Sequence, residues 1–98
     1  MYITKTFTGN ATNEVLLGAG RETSSVNEIL ISNQHASTAL AISSLFLERG
    51  GVNYSLLSLQ VPPSTALVLN DEVFKFNPRD YSLKITTTGS DSWSVIIT

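Results

Sequence analysis

The stretch Tyr81-Ser82-Leu83-Lys84-Ile85-Thr86, followed beyond Thr87-Thr88-Gly89-Ser90-Asp91 by Ser92-Trp93-Ser94-Val95-Ile96-Ile97-Thr98, decides the fold. In its first half Tyr81, Leu83 and Ile85 alternate with Ser82, Lys84 and Thr86. In its second half Trp93, Val95 and Ile97 alternate with Ser92, Ser94 and Thr98. Side chains on a strand change face at every residue, so each half reads as a half-buried strand. The Thr/Gly/Ser/Asp connection reads as a short turn that makes the two a hairpin. Ile96 is the misfit, an apolar residue on the polar face. A lone hairpin is barely stable in water, so the remaining chain has to supply a second layer.

Working outward, the same period recurs. Tyr2 to Thr8 places Ile3, Lys5 and Phe7 opposite Tyr2, Thr4, Thr6 and Thr8. It reads as a strand suited to a sheet edge, where an inward-leaning Lys discourages wrong pairing. Gly9-Asn10 reads as a turn, and Glu14 to Leu17 as a short strand ended by Gly18-Ala19-Gly20. Val26 to Ser32 is apolar on both faces, which suits a central strand. Asn33 to Ser37 is a polar loop. Leu40 to Leu47 reads as a strand with Leu40, Ile42 and Phe46 on one face and Leu45 and Leu47 on the other; a helix is the rival reading, since Ala and Leu are good helix formers, but no cap precedes it. Glu48-Arg49-Gly50-Gly51 fits a hairpin turn. Val52 to Leu59 returns as a strand, and Val61-Pro62-Pro63 stops it by removing ladder donors. Thr65 to Asn70 is a strand with Leu67 and Leu69 on one face, Val73 to Phe76 alternates imperfectly, and Asn77-Pro78-Arg79-Asp80 is a turn. About eight short strands result. The expected fold is all-β, a two-sheet antiparallel β-sandwich of jelly-roll or Greek-key kind. Residues 1–98 read as a single domain, with residues 1–25 open to reading as a partly extended N-terminal segment.

The composition bounds the function. The chain has 98 residues, 42% hydrophobic and only 14% charged, against a usual ~25% charged. Ser, Thr and Asn carry the polarity, and a surface with so few charges suits a protein that associates. The net charge is −2, and the six basic residues are scattered, so no nucleic-acid partner is expected. No apolar run approaches the ~20 residues of a membrane helix, and no basic-then-apolar leader precedes the first alternating segment, so neither membrane nor secretory route is expected. Cysteine is absent, which excludes a disulfide framework and a thiolate nucleophile. Asn10-Ala11-Thr12 and Asn53-Tyr54-Ser55 match the glycosylation sequon, and with no secretory route expected their use is not expected either.

No motif for catalysis emerges, and the expectation is a non-enzymatic chain with no cofactor, no metal and no catalytic residue. His35 is the single histidine and reads as an exposed loop residue, because a metal site needs several converging ligands and no serine lies in Gly-x-Ser-x-Gly. Gly18-Ala19-Gly20-Arg21 lacks the Gly-Lys-Ser/Thr ending of a phosphate loop and reads as a turn. Asp71 and Glu72 are adjacent, so on a strand they face opposite ways and cannot share a substrate as glycosidase carboxylates do. Trp93, Tyr54, Tyr81 and Tyr2 could form a platform for sugar rings. If Trp93 shares the face of Val95 and Ile97 it is core; a register shifted by one residue would expose it.

The segments Tyr54 to Pro63, Leu67-Val68-Leu69, Tyr81 to Gly89 and Trp93 to Ile97 together form a recognisable layout. A strand ends in proline, a short leucine-rich strand follows, and an apolar-x-apolar strand leads through a Gly/Ser turn to the last strand. With Val26 to Asn33 and Ala39 to Ser43, this resembles small β-sandwich virion structural proteins of tailed bacteriophages, over about residues 26–98. The resemblance implies a structural role without enzymatic activity. A capsid decoration or cement protein docking on the shell comes first, and a neck, tail or fibre-attachment module second. It further implies localisation to the virion after synthesis in the host cytoplasm, with the major capsid protein or other virion proteins as partners and a homo-oligomeric state. No binding residue transfers with it. The contact regions expected from the residues themselves are the strand at 1–8 and the connection at 21–25. The different-class alternative is a carbohydrate-binding module.

Overall fold

The computed structural model describes residues 3–21, 26–70 and 76–98. Among them are eight strands and no helix: β1 (Ile3–Phe7), β2 (Ala11–Leu17), β3 (Glu28–Asn33), β4 (Leu40–Arg49), β5 (Val52–Val61), β6 (Thr65–Asn70), β7 (Ser82–Thr88) and β8 (Trp93–Ile97). They form two antiparallel four-stranded sheets, a front sheet ordered β1-β8-β3-β6 and a back sheet ordered β2-β7-β4-β5. First pairs with last, second with seventh, third with sixth and fourth with fifth. A ribbon of four such pairs rolled over so that β3 meets β8 and β4 meets β7 is a jelly roll. The all-β sandwich expected from the period of two is therefore the observed fold. Residues 3–7 and 11–17 are strands hydrogen-bonded into the two sheets.

The inner face of the front sheet is built in registered rows. Ile3, Ile97, Ile29 and Leu69 lie side by side across the four strands, and Lys5, Val95, Ile31 and Leu67 form the next row. Facing them, Leu17, Leu83 and Leu47 share a row of the back sheet, as do Ile85 and Leu45. The apolar side chains of these rows make one core across both sheets, each contributing roughly 1.5–3 kcal/mol when fully buried. β3 lies between β8 and β6, the central place suggested by its two apolar faces.

The closing hairpin is corrected. Tyr81–Thr98 does contain two strands, but β7 belongs to the back sheet and β8 to the front. The connection is an arch between sheets. Alternation records which face is buried, and both halves bury a face, whether or not they pair with each other. β7 also runs on through Thr87 and Thr88, placed in the turn by their composition. Thr87 is buried, and its hydroxyl accepts the Ala11 amide at 3.2 Å. Gly89 makes the corner with φ of 99°, and a Cβ there would stand 2.6 Å from the Ala39 carbonyl oxygen, so only glycine fits.

The face assignment within β4 is corrected as well. The register against β7 shifts between Ile42 and Ser44. This bulge inserts one residue and reverses the phase. Leu45 and Leu47 thus join Leu40 and Ile42 in the core, while Phe46, expected with Leu40 and Ile42, is buried outside that cluster. β2 begins at Ala11 rather than Glu14; its polar opening and Asn13, at φ 48°, lie on an irregular edge strand. The β4–β5 hairpin forms where the sequence places it, but Glu48 and Arg49 belong to β4, and Gly50 at φ 60° and Gly51 at φ 82° alone make the two-residue turn. Asp71, Glu72 and the alternating segment from Val73 to Lys75 lie outside the described residues.

Candidate functional site

His35 lies in the loop after β3, half-buried rather than simply exposed. Its Nδ1 accepts the Ser37 and Thr38 amides at 3.1 and 3.0 Å, and its Nε2 lies 3.5 Å from Asp91 Oδ1. The ring lone pair that a general base would use is thus engaged by backbone, and the imidazole shapes its own loop. The Gly18–Arg21 turn has its amides engaged too: Ala19 donates to Ser82 Oγ, Gly20 to Pro78 O and Arg21 to Gly18 O. No N–H of that trio is left pointing at an anion. No group of three or more metal-ligating side chains occurs among the described residues. Tyr2, Asp71 and Glu72 fall outside them.

The aromatic platform divides. Trp93 is fully buried, stacked on Phe7 with centroids 4.1 Å apart, and its indole N–H donates to Gly9 O at 3.0 Å. It is core, on the face shared with Val95 and Ile97. Tyr54 and Tyr81 do meet, edge to face at 5.9 Å, with the Arg49 guanidinium 5.5 Å from the Tyr81 ring centre. The hydrogen bond to Tyr81, then the charge of Asp80, raises the Arg49 pKa. The three residues extend the inner-face row of Leu47 and Leu83 toward the tip of the β4–β5 hairpin. Tyr54 is 48% exposed.

Of the two stretches expected to make contacts, residues 3–7 form edge strand β1, while residues 1, 2 and 22–25 lie outside the described set. Ile3 and Lys5 from one stretch and Arg21 from the other line an open groove of about 740 Å³ along the β1/β2 side. Lys5 bridges the edges of the two sheets by donating to Val15 O at 2.7 Å. This is the inward lysine expected of a guarded edge strand.

The least ordinary surface is the outer face of the front sheet. Thr4, Ile96, Leu30 and Val68 form one row across it, and Thr6, Ser94, Ser32 and Ala66 the next. Neither row contains a charge, and Val68 is 50% exposed. Ile96, the misfit of the alternating pattern, belongs to this row. The pattern showed the residue but could not show that Leu30 and Val68 lie beside it. Compared with protein-family models, curated proteins and solved structures, the chain matches none.

Proposed function

We propose that the chain is a non-enzymatic virion structural protein of a tailed bacteriophage, a capsid decoration protein that docks on the shell through the outer face of its front sheet. The observation that carries this reading is the uncharged double row Thr4-Ile96-Leu30-Val68 and Thr6-Ser94-Ser32-Ala66. The centre of a docking face is depleted in charge, with polar and charged groups kept to the rim. The core side chains are already committed to joining the two sheets, so a surface role must use outer faces and edges. The jelly roll is an architecture used by capsid and lectin domains alike; it supports a rigid docking scaffold and by itself names no partner.

The test is occupancy. The exposed Thr4 and Val68 are replaced together by Lys, and copies retained per purified particle are counted by quantitative mass spectrometry. The expected result is loss of most copies with the fold intact by circular dichroism. Full retention rejects this face, and absence of the parent chain from particles rejects the virion role. A neck or tail module would show the same loss at far lower copy number.

The Tyr54–Tyr81 pair favours a second reading, a carbohydrate-binding module, because an exposed ring beside a guanidinium can stack on a sugar and donate to its hydroxyls. Glycan-array binding that disappears in Tyr54→Ala would select it.

A further inference from the structure

The groove on the β1/β2 side draws Ile3 and Lys5 from β1, Glu14, Val15 and Leu16 from β2, and Arg21 from the turn that follows. Its volume of about 740 Å³ falls in the range that holds small ligands. Both cations are drawn toward Val15. Lys5 Nζ donates to Val15 O at 2.7 Å, which commits one of the three N–H groups of an ammonium. Arg21 folds back over Gly18. Its Cγ lies 3.3 Å from the point that a Gly18 Cβ would occupy, and Val15 Cγ1 lies 4.0 Å from the same point. Gly18 does not have positive φ, so its backbone does not call for glycine; the missing side chain makes the room in which the Arg21 stem lies. Among the described residues neither cation forms an ion pair with a carboxylate, Glu14 included. Two cations against one carboxylate leave the groove an excess of one positive charge. The surface beside them is apolar: Val15 is 39% exposed, Ile3 is half-buried, and Leu16 lies buried beneath.

We propose that this groove binds a small amphiphile, an anionic head of carboxylate or phosphate on a short hydrocarbon body. Two like charges gathered about one residue repel, and an anion between them relieves the repulsion while accepting charge-assisted hydrogen bonds. Arg21 is the main head-group ligand. Its planar fork matches carboxylate and phosphate geometry, and among the described residues its side-chain donors are unused. Lys5 adds its remaining N–H groups. The amides of the Gly18–Arg21 turn are engaged within the protein, so recognition of the head rests on these two side chains. The hydrocarbon body lies on Val15 and Ile3 and removes their apolar surface from water. The site shares no residue with the uncharged rows of the front sheet or with the Tyr54–Tyr81 pair. It therefore stands or falls apart from both readings of function.

The experiment titrates the isotope-labelled full chain with octanoate and with octyl phosphate, each below its micelle concentration, and follows the amide resonances. Saturable shifts gathered at residues 3–5 and 13–21 are expected from at least one of them, and the tighter of the two identifies the head group. Octanol has the same body without the charge, and acetate and inorganic phosphate have the charge without the body. Each should bind at least about tenfold more weakly. Arg21→Gln, at an exposed position, should keep the fold and lower the affinity at least about tenfold. No saturable shift in those segments with either amphiphile overturns the proposal. So does a control ligand that binds as tightly as the amphiphiles, or a folded Arg21→Gln variant that binds as tightly as the parent. Should the variant fail to fold, octanoate against octanol on the parent decides alone.

Discussion

Replacing Asn33 by Ala should cost a large share of the stability of this fold. Asn33 ends β3 with its side chain buried, 1% exposed. Its amide nitrogen donates to Thr38 O at 2.9 Å, Val61 O at 3.0 Å and Pro62 O at 3.3 Å. Its carbonyl oxygen accepts from Ser90 Oγ at 2.8 Å and from the His35 amide at 3.2 Å. One side chain thus ties the β3–β4 loop, the end of β5 and the β7–β8 arch into a single corner. Pro62 O keeps Thr65 Oγ1 at 2.7 Å, and Ser90 Oγ can turn to Ser92 O at 3.2 Å. The losses that remain are the bonds to Thr38, Val61 and Ser90, roughly 0.5–1.5 kcal/mol each. Together they give about 1.5–4.5 kcal/mol, against a total of about 5–15 kcal/mol for a domain. Urea unfolding at neutral pH measures the loss from the midpoint shift at constant slope. A loss below about 1 kcal/mol would refute the reasoning, because the corner would then be held by something other than this amide. A double-mutant cycle with Ser90→Ala separates the arch bond from the rest. Asn33→Asp sharpens the test. A carboxylate would face three carbonyl oxygens, which raises its folded-state pKa above the unfolded value of about 3.9. The variant should therefore be least impaired below that pH and weaken as pH rises through the folded value.

The remaining predictions are brief. Trp93→Ala should destabilise by about 3–5 kcal/mol, the usual range for emptying a buried aromatic site; a variant that melts like the parent would mean the Phe7 stack and the Gly9 bond contribute nothing. Gly89→Ala should cost at least about 1–3 kcal/mol from the left-handed backbone alone, with the 2.6 Å approach to Ala39 O adding to it; unchanged thermal unfolding would contradict the arch geometry. Leu45→Ala should lose about 2–5 kcal/mol and Ser43→Ala, exposed within the bulge, less than about 0.5 kcal/mol, as read by chemical unfolding. Were both small, the phase shift in β4 would be wrong.

Much of this architecture was legible residue by residue. Trp93, Val95 and Ile97 declared a buried face, Gly50-Gly51 declared a tight turn, and Lys5 declared a guarded edge, because each depends only on local backbone geometry and side-chain polarity. Asn33 and Ser90 were not legible as a pair. Each looks like an ordinary polar turn residue, and 57 positions separate them. The bulge near Ser43 was equally hidden, because two serines in a row fit either phase of the alternation. Of the candidate surfaces, Ile96 was visible as an oddity, but the row it shares with Leu30 and Val68 exists only once three strands lie side by side.

Period, turn chemistry and charge are properties of neighbours along the chain, so the sequence alone determined that this protein is made of strands, where they break, and which of their faces avoid water. The choice of partner for each strand belonged to the tertiary structure. Backbone N–H and C=O groups are the same at every residue and carry no address, so β7 and β8 could look like a hairpin and yet part into different sheets. Which edges stay open, and which apolar residues meet on an outer face, follow from that choice.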